Sequence, residues 1–162
     1  MRMLISDTPD LPLRAGDELK APCSDKRLIH CNGCFGCWVK TPGRCVVKDD
    51  YMTMGEELKN YQELIFVSKC TYGGLSPFPK NIFDRSISYI SPYFEIINGE
   101  MHHQARYDHT LKFSVYFYGE DISEKEKIFA KELIQAQAVN FHATVENVFF
   151  FNTADEIKEV IA

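Results

Sequence analysis

The run ELIFVSK, residues 63–69, constrains the fold more than any other stretch of this chain. Its apolar residues follow one another without the alternation of a strand that has one wet face, so it reads as a strand buried on both faces. Such a strand needs a covering layer on each side, and its neighbours supply one. RMLIS (2–6) reads as a short strand and KRLIH (26–30) as a weaker one. DDYMTMGEELKNYQ (49–62) opens with two acids, which suit a helix N-terminus, and Tyr51, Met54, Leu58 and Tyr61 recur at helical spacing. TYGGLSPFPK (71–80) reads as a loop, followed by a helix with Phe83, Ile87 and Ile90 on one face. Residues 91–109 show no clear period and read as an excursion, a lid candidate. TLKFSVYFYG (110–119) reads as a strand. Residues 123–141 read as a helix opened by a capping box of Ser123 and Glu126. ATVENVFFFN (143–152) is a further strand, and 153–162 a final helix with a second box at Thr153 and Glu156. Strands alternating with helices imply a mainly parallel sheet, helices on both faces and right-handed crossovers.

A length of 162 residues suits one domain over the whole chain. Hydrophobic content of 45% and charged content of 25% are those of a globular protein. A net charge of -5 without any basic tract argues against nucleic acid as a partner. The first apolar run is broken by Asp7, Asp10 and two prolines, is too short for a signal peptide, and no membrane span follows. The expectation is a cytoplasmic chain whose six cysteines are reduced. Cys23 and Cys70 stand apart and read as ordinary small apolar thiols.

The other four cysteines, Cys31, Cys34, Cys37 and Cys45, share the segment HCNGCFGCWVKTPGRC with the spacing C-x2-C-x2-C-x7-C. The close triplet is similar to the ferredoxin run, in which adjacent thiolates wrap one cubane. Zinc fits less well, because tetrahedral sites usually join two separated pairs. The alternative is a structural turn in which Phe35 and Trp38 pack and no metal binds.

The longer block CNGCFGCWVKTPGRCVVKDDYM resembles the signature of the NADPH-dependent FMN reductase and iron–sulfur flavoprotein family, whose members are flavodoxin-like. Downstream, TYGGLSPFPKNIFDRSISYISPYF resembles that family's flavin-ring loop and the helix after it, in matching order and separation. The resemblance runs from about residue 26 to the C-terminus. It implies a flavodoxin-like three-layer sandwich around a mainly parallel five-stranded sheet, with FMN at the carboxyl ends of the strands. It further implies electrons taken from NAD(P)H and, in the iron–sulfur branch, passed to a [4Fe–4S] cluster on Cys31, Cys34, Cys37 and Cys45. Thr71, Tyr72, Gly73, Gly74 and Ser76 then lie at the ring, where glycine lets backbone approach a flat group closely. The alternative for the Gly-Gly pair is an ordinary turn after a strand. Asp84 and Arg85 are spaced like the family's helix-anchoring pair, and His102 and His103 read as a surface pair.

One part departs from the pattern. The family's first strand ends in a Gly-Ser-Pro-Arg type loop and a long helix, whose amides and dipole hold the FMN phosphate. Here Ser6 and Thr8 are hydroxyl donors for a phosphate and Arg14 a further candidate, but Asp7 and Asp10 place negative charge there. Pro9 and Pro12 each remove an amide. No helical period runs between residues 7 and 25, so the first crossover helix reads as missing. Losing it uncovers a sheet face, which points to a homo-oligomer, most simply a dimer, or else to a loop that covers the face. Beside a thiol-based redox or zinc protein, a reading that rests on the cysteines alone, two functions compete. One is an FMN-dependent oxidoreductase or electron-transfer flavoprotein using NAD(P)H, with or without a cluster. The other is a degenerate flavodoxin-like protein that has lost FMN and acts as a binding subunit.

Overall fold

The computed structural model describes residues 1–161. The buried run of the sequence analysis is the central strand β3 (Glu63–Lys69) of a five-stranded parallel sheet. Its companions are β1 (Arg2–Ser6), β2 (Glu18–Lys20), β6 (Lys112–Tyr118) and β7 (Thr144–Phe151), in the order β2-β1-β3-β6-β7. Counting sheet strands alone this is 2-1-3-4-5, the flavodoxin-like order. Between β3 and β6 the chain adds a separate antiparallel hairpin, β4 (Ile90–Ile97) and β5 (Glu100–Ala105).

Alternation along each strand sends side chains to two covered faces. Met3, Ile5, Leu64, Phe66, Phe113 and Val115 meet helices on one face. Those helices are α2 (Met54–Glu57), α3 (Pro77–Arg85) and α4 (Glu124–Asn140). Leu4, Ile65 and Val67 meet Ile157 and Ile161 of α5 (Ala154–Ile161) on the other, so the domain is three layers. The capping box at Ser123 and Glu126 forms as expected. At the second box Thr153 accepts from the Glu156 amide, while the Glu156 carboxylate reaches the amide of Asn152.

The first crossover has no helix: residues 7–17 join β1 to β2 as turns and extended chain. Asp17 anchors this connection by taking the Arg2 guanidinium at 3.0 Å and the Arg14 amide at 2.9 Å. Leu11 is laid into the helix's place against Leu4, Ile65 and Val67. The covering-loop alternative therefore holds over the central strands, and Phe149 stays partly open beyond them.

Several expected elements differ, each for a local reason. Residues 26–30 form no strand. Their amides turn to side chains, Arg27 N–H to Asp50 at 2.7 Å and Ile29 N–H to Asp49 at 2.8 Å, and β1 pairs with Glu18–Lys20 instead. The helix expected over 49–62 shrinks to α2 and a 3-10 turn at Leu58–Asn60, because Asp49 accepts the Tyr51 amide and bends the chain there. Tyr51, Met54, Leu58 and Tyr61 are nevertheless all buried. The helix after the loop starts early, at Pro77, a residue preorganised for a first helical position. Residues 91–109, expected to be irregular, are mostly the hairpin, turned at Asn98 and Gly99, both at positive φ. No helix among the described residues is long and apolar enough to cross a membrane.

Phe113 sits where the layers meet, ring to ring with Phe66, Phe83 and Phe141 at 5.9, 5.9 and 6.1 Å. Phe113→Ala is expected to cost about 3–5 kcal/mol in chemical denaturation; a loss under about 1 kcal/mol would contradict this packing.

Candidate functional site at the carboxyl edge of the sheet

In a 2-1-3-4-5 sheet a ligand enters at the carboxyl ends of the strands, where the order reverses between β1 and β3. Here the chain's own carboxylate stands in that crevice. The Asp7 amide continues the ladder by donating to Val67 O at 3.2 Å. One Asp7 oxygen then accepts the Lys69 amide at 2.7 Å and the Ser76 hydroxyl at 2.6 Å, and the other accepts the Tyr118 phenol at 2.8 Å. These donors come from β3, the N-cap of α3 and β6, the elements that would surround a bound anion. Burial, and then the hydrogen bond to Asp7 and its charge, push the Tyr118 phenol above its ordinary range, so it stays a neutral donor. Ser6 is turned inward, its hydroxyl oxygen accepting the Thr8 amide at 2.9 Å.

The glycine pair makes a tight turn. Thr71 and Gly74 exchange amide–carbonyl bonds of 2.9 Å each, and Tyr72 and Gly73 between them both have positive φ. That is a two-residue turn of the I′ kind, and it needs glycine for a second reason. A Cβ on Gly73 would lie 2.7 Å from the Phe129 ring and 3.1 Å from Glu126 O on α4. The Gly73 amide faces the Cys70 sulfur, so both glycine amides have partners within the chain. Tyr72 is 89% exposed. A cavity of about 560 Å³ opens beside this turn, at the ends of β3, β6 and β7, with Lys69 opposed by Glu120, Asp121 and Glu126. Thr71, Tyr72, Gly73 and Gly74 are not in its lining. A phosphate monoester does not fit this edge as arranged: its donors are bonded to Asp7, and three more carboxylates stand nearby.

The cysteine segment lies elsewhere. It is clasped by Arg85, the last residue of α3, while the Gly73–Gly74 turn precedes that helix's first residue. Nine helical residues span about 13 Å, so the four cysteines and the turn sit at opposite ends of α3. The cysteine segment is therefore not beside the ring loop of its own chain. Arg85 and Asp49, whose side chains are both fully buried, pair through two bonds of 2.6 and 2.7 Å. The guanidinium also donates to Ile29 O at 2.5 Å and Val47 O at 3.3 Å. Asp84, the other member of the expected pair, faces outward to Lys80.

Cys31 and Cys34 are exposed, and Cys37 and Cys45 are buried. Burial, then the charges of Cys45 and Cys31, push the Cys37 thiol up to about 11. The guanidinium of Arg85 lies beside the Cys45 sulfur, and its Nε has no hydrogen-bond partner. The four thiols are thus gathered in one neighbourhood, yet among the described residues no three His, Cys, Asp or Glu side chains converge to hold a metal. Phe35 and Trp38 pack ring to ring at 5.6 Å, and Trp38 donates to Ile90 O at 3.0 Å. His103 lies against Trp38 and Phe94, and the His102 ring bonds Asn140, so the pair is partly covered.

No protein-family model matches the chain, and no curated protein matches it.

The clasp sets a stability prediction. Burial alone would raise the Asp49 pKa, but bonds from Arg85 and from the Ile29 and Tyr51 amides hold it below the usual carboxylate range. Its contribution is complete above the unfolded value of about 4 and is lost as pH falls through the lower folded value. Asp49→Asn is therefore expected to cost about 3–5 kcal/mol at pH 7 by urea denaturation, because Arg85 is left without its counter-charge. Its deficit against the wild type should narrow below about pH 4. A deficit that stays constant with pH would contradict the clasp.

Proposed function

We propose that this chain is a flavodoxin-like binding subunit that has given up the FMN phosphate site, rather than a working FMN reductase. The observation that carries this reading is the Asp7 carboxylate, which takes the Lys69 amide and the Ser76 and Tyr118 hydroxyls. A phosphate monoester entering there would have to displace a carboxylate that is already bonded. Otherwise it would share the crevice with a like charge a few ångströms away, an arrangement that strongly opposes ionisation of both. Residues 7–17 form no helix that would turn amides and a dipole toward the anion. Six free thiols suit a reducing compartment, so the working location in this reading is the cytoplasm.

A second reading has specific support: an electron-transfer flavoprotein using NAD(P)H that holds its flavin without the usual anchor. The cavity of about 560 Å³ lies at the expected edge of the sheet. The four cysteines are close enough together that Cys37 feels the other three. Binding of a cluster there requires the exposed Cys31 and Cys34 to close in on the buried pair.

The two readings separate in an FMN titration followed by flavin fluorescence. The wild type is expected to leave FMN unquenched at micromolar concentrations, with any Kd weaker than about 100 µM. Asp7→Gly, which frees three donors, is expected to gain affinity by about tenfold or more. Quenching by the wild type with a Kd below about 1 µM would overturn the binding-subunit reading. So would a yellow protein on purification. An anaerobic spectrum with a broad shoulder bleached by dithionite, and iron to match, would establish the cluster.

A further inference from the structure

Five exposed apolar side chains, two on the cysteine segment and three on the hairpin, form one stripe. Phe35 and Val39, one helical turn apart around α1 (Gly36–Val39), are 61% and 78% exposed. On the hairpin, Phe94, Ile96 and Met101 are 56%, 68% and 67% exposed. Rings in contact join the two groups. Phe35 lies 5.6 Å from Trp38, Trp38 lies 4.6 Å from His103, and His103 lies 4.6 Å from Phe94. The hairpin register sets Phe94 opposite His103 and Ile96 opposite Met101, so these four share one face. The opposite face is occupied: Glu95 meets His142 at 3.5 Å and His102 meets Asn140 at 2.8 Å, both at the end of α4.

We propose that this stripe is the interface of a two-fold homodimer. Its size fits. With about 150–250 Å² for a whole aromatic side chain, the five residues leave roughly 500 Å² of apolar surface, near the upper limit for one patch on a monomer. Two such stripes face to face bury about 1,000 Å², and with rim and backbone they reach the 1,200–2,000 Å² of stable specific interfaces. Its charge fits as well. No Lys, Arg, Asp or Glu belongs to the stripe, so nothing in it selects a charged partner. A chain of net charge -5 meets its own copy with least repulsion through an uncharged patch, which a two-fold axis places against itself. The hairpin gains too. β4 and β5 pair only with each other, so covering their open apolar face takes further apolar surface from water. The inference goes beyond the binding-subunit reading and does not depend on it, since FMN affinity and association are measured separately.

Sedimentation velocity over about 1–100 µM tests it. The wild type is expected to be a dimer across that range. Ile96→Glu and Met101→Lys, both at open positions, are each expected to raise the dimer Kd at least a hundredfold while leaving the far-UV circular dichroism of the fold unchanged, because the two-fold places like charges together. Phe149→Glu, on the partly open sheet face, is expected to leave the dimer intact. Amide exchange over 93–103 is expected to slow as protein concentration rises. A monomeric wild type would overturn the proposal. A dimer that survives both stripe variants, one lost with Phe149→Glu instead, or exchange at 93–103 that ignores concentration would overturn it too.

Discussion

The Asp7 carboxylate holds together the edge of the sheet where a flavodoxin-like protein does its work. A buried or half-buried carboxylate is expensive unless hydrogen bonds replace its water. Asp7 obtains three, from β3, from the N-cap of α3 and from β6. The same bonds fix the mouth of the crevice between β1 and β3, so the ends of three elements become one rigid node. A site that awaits an anion keeps its donors free. Here they converge on a negative group that the chain itself supplies.

A second carboxylate does the corresponding work at the other end of α3. Asp49 and Arg85 are both removed from water, and the surrounding carbonyls of Ile29 and Val47 complete the guanidinium's bonds. A pair of this kind adds little net stability against an apolar replacement, but it is costly to break and it sets position. What it positions is the cysteine segment, held against α3 although residues 21–35 have no regular structure. The two carboxylates therefore divide the molecule. One binds the donors at the carboxyl edge of the sheet, and the other holds the thiol-bearing segment about a helix length away.

Much of this was readable in the sequence. The central strand declared itself because Leu64–Val67 has no polar alternation, and α4 because Ser123 and Glu126 cap it. Burial of Tyr51, Met54, Leu58 and Tyr61 followed from their spacing even though most of the expected helix did not form. The misses have local causes. β2 is only three residues long and carries charges at both ends, so no apolar pattern marks it. KRLIH has the composition of a strand, but Asp49 and Asp50 capture its amides, a long-range contact invisible to periodicity. The hairpin did have a local signal, the Asn98–Gly99 pair, which favours a two-residue turn. At the candidate site, Asp7 was legible as an unfavourable charge beside a phosphate. Its three donors were not, since Lys69, Ser76 and Tyr118 lie 62 to 111 residues away along the chain.

The most direct measurement is a crystal structure of the wild type grown or soaked in millimolar FMN. The expected result is Asp7 bonded to the Lys69 amide, Ser76 and Tyr118, with no phosphate density between β1 and β3. A phosphate seated on those donors, with the Asp7 side chain swung out to solvent, would contradict the account.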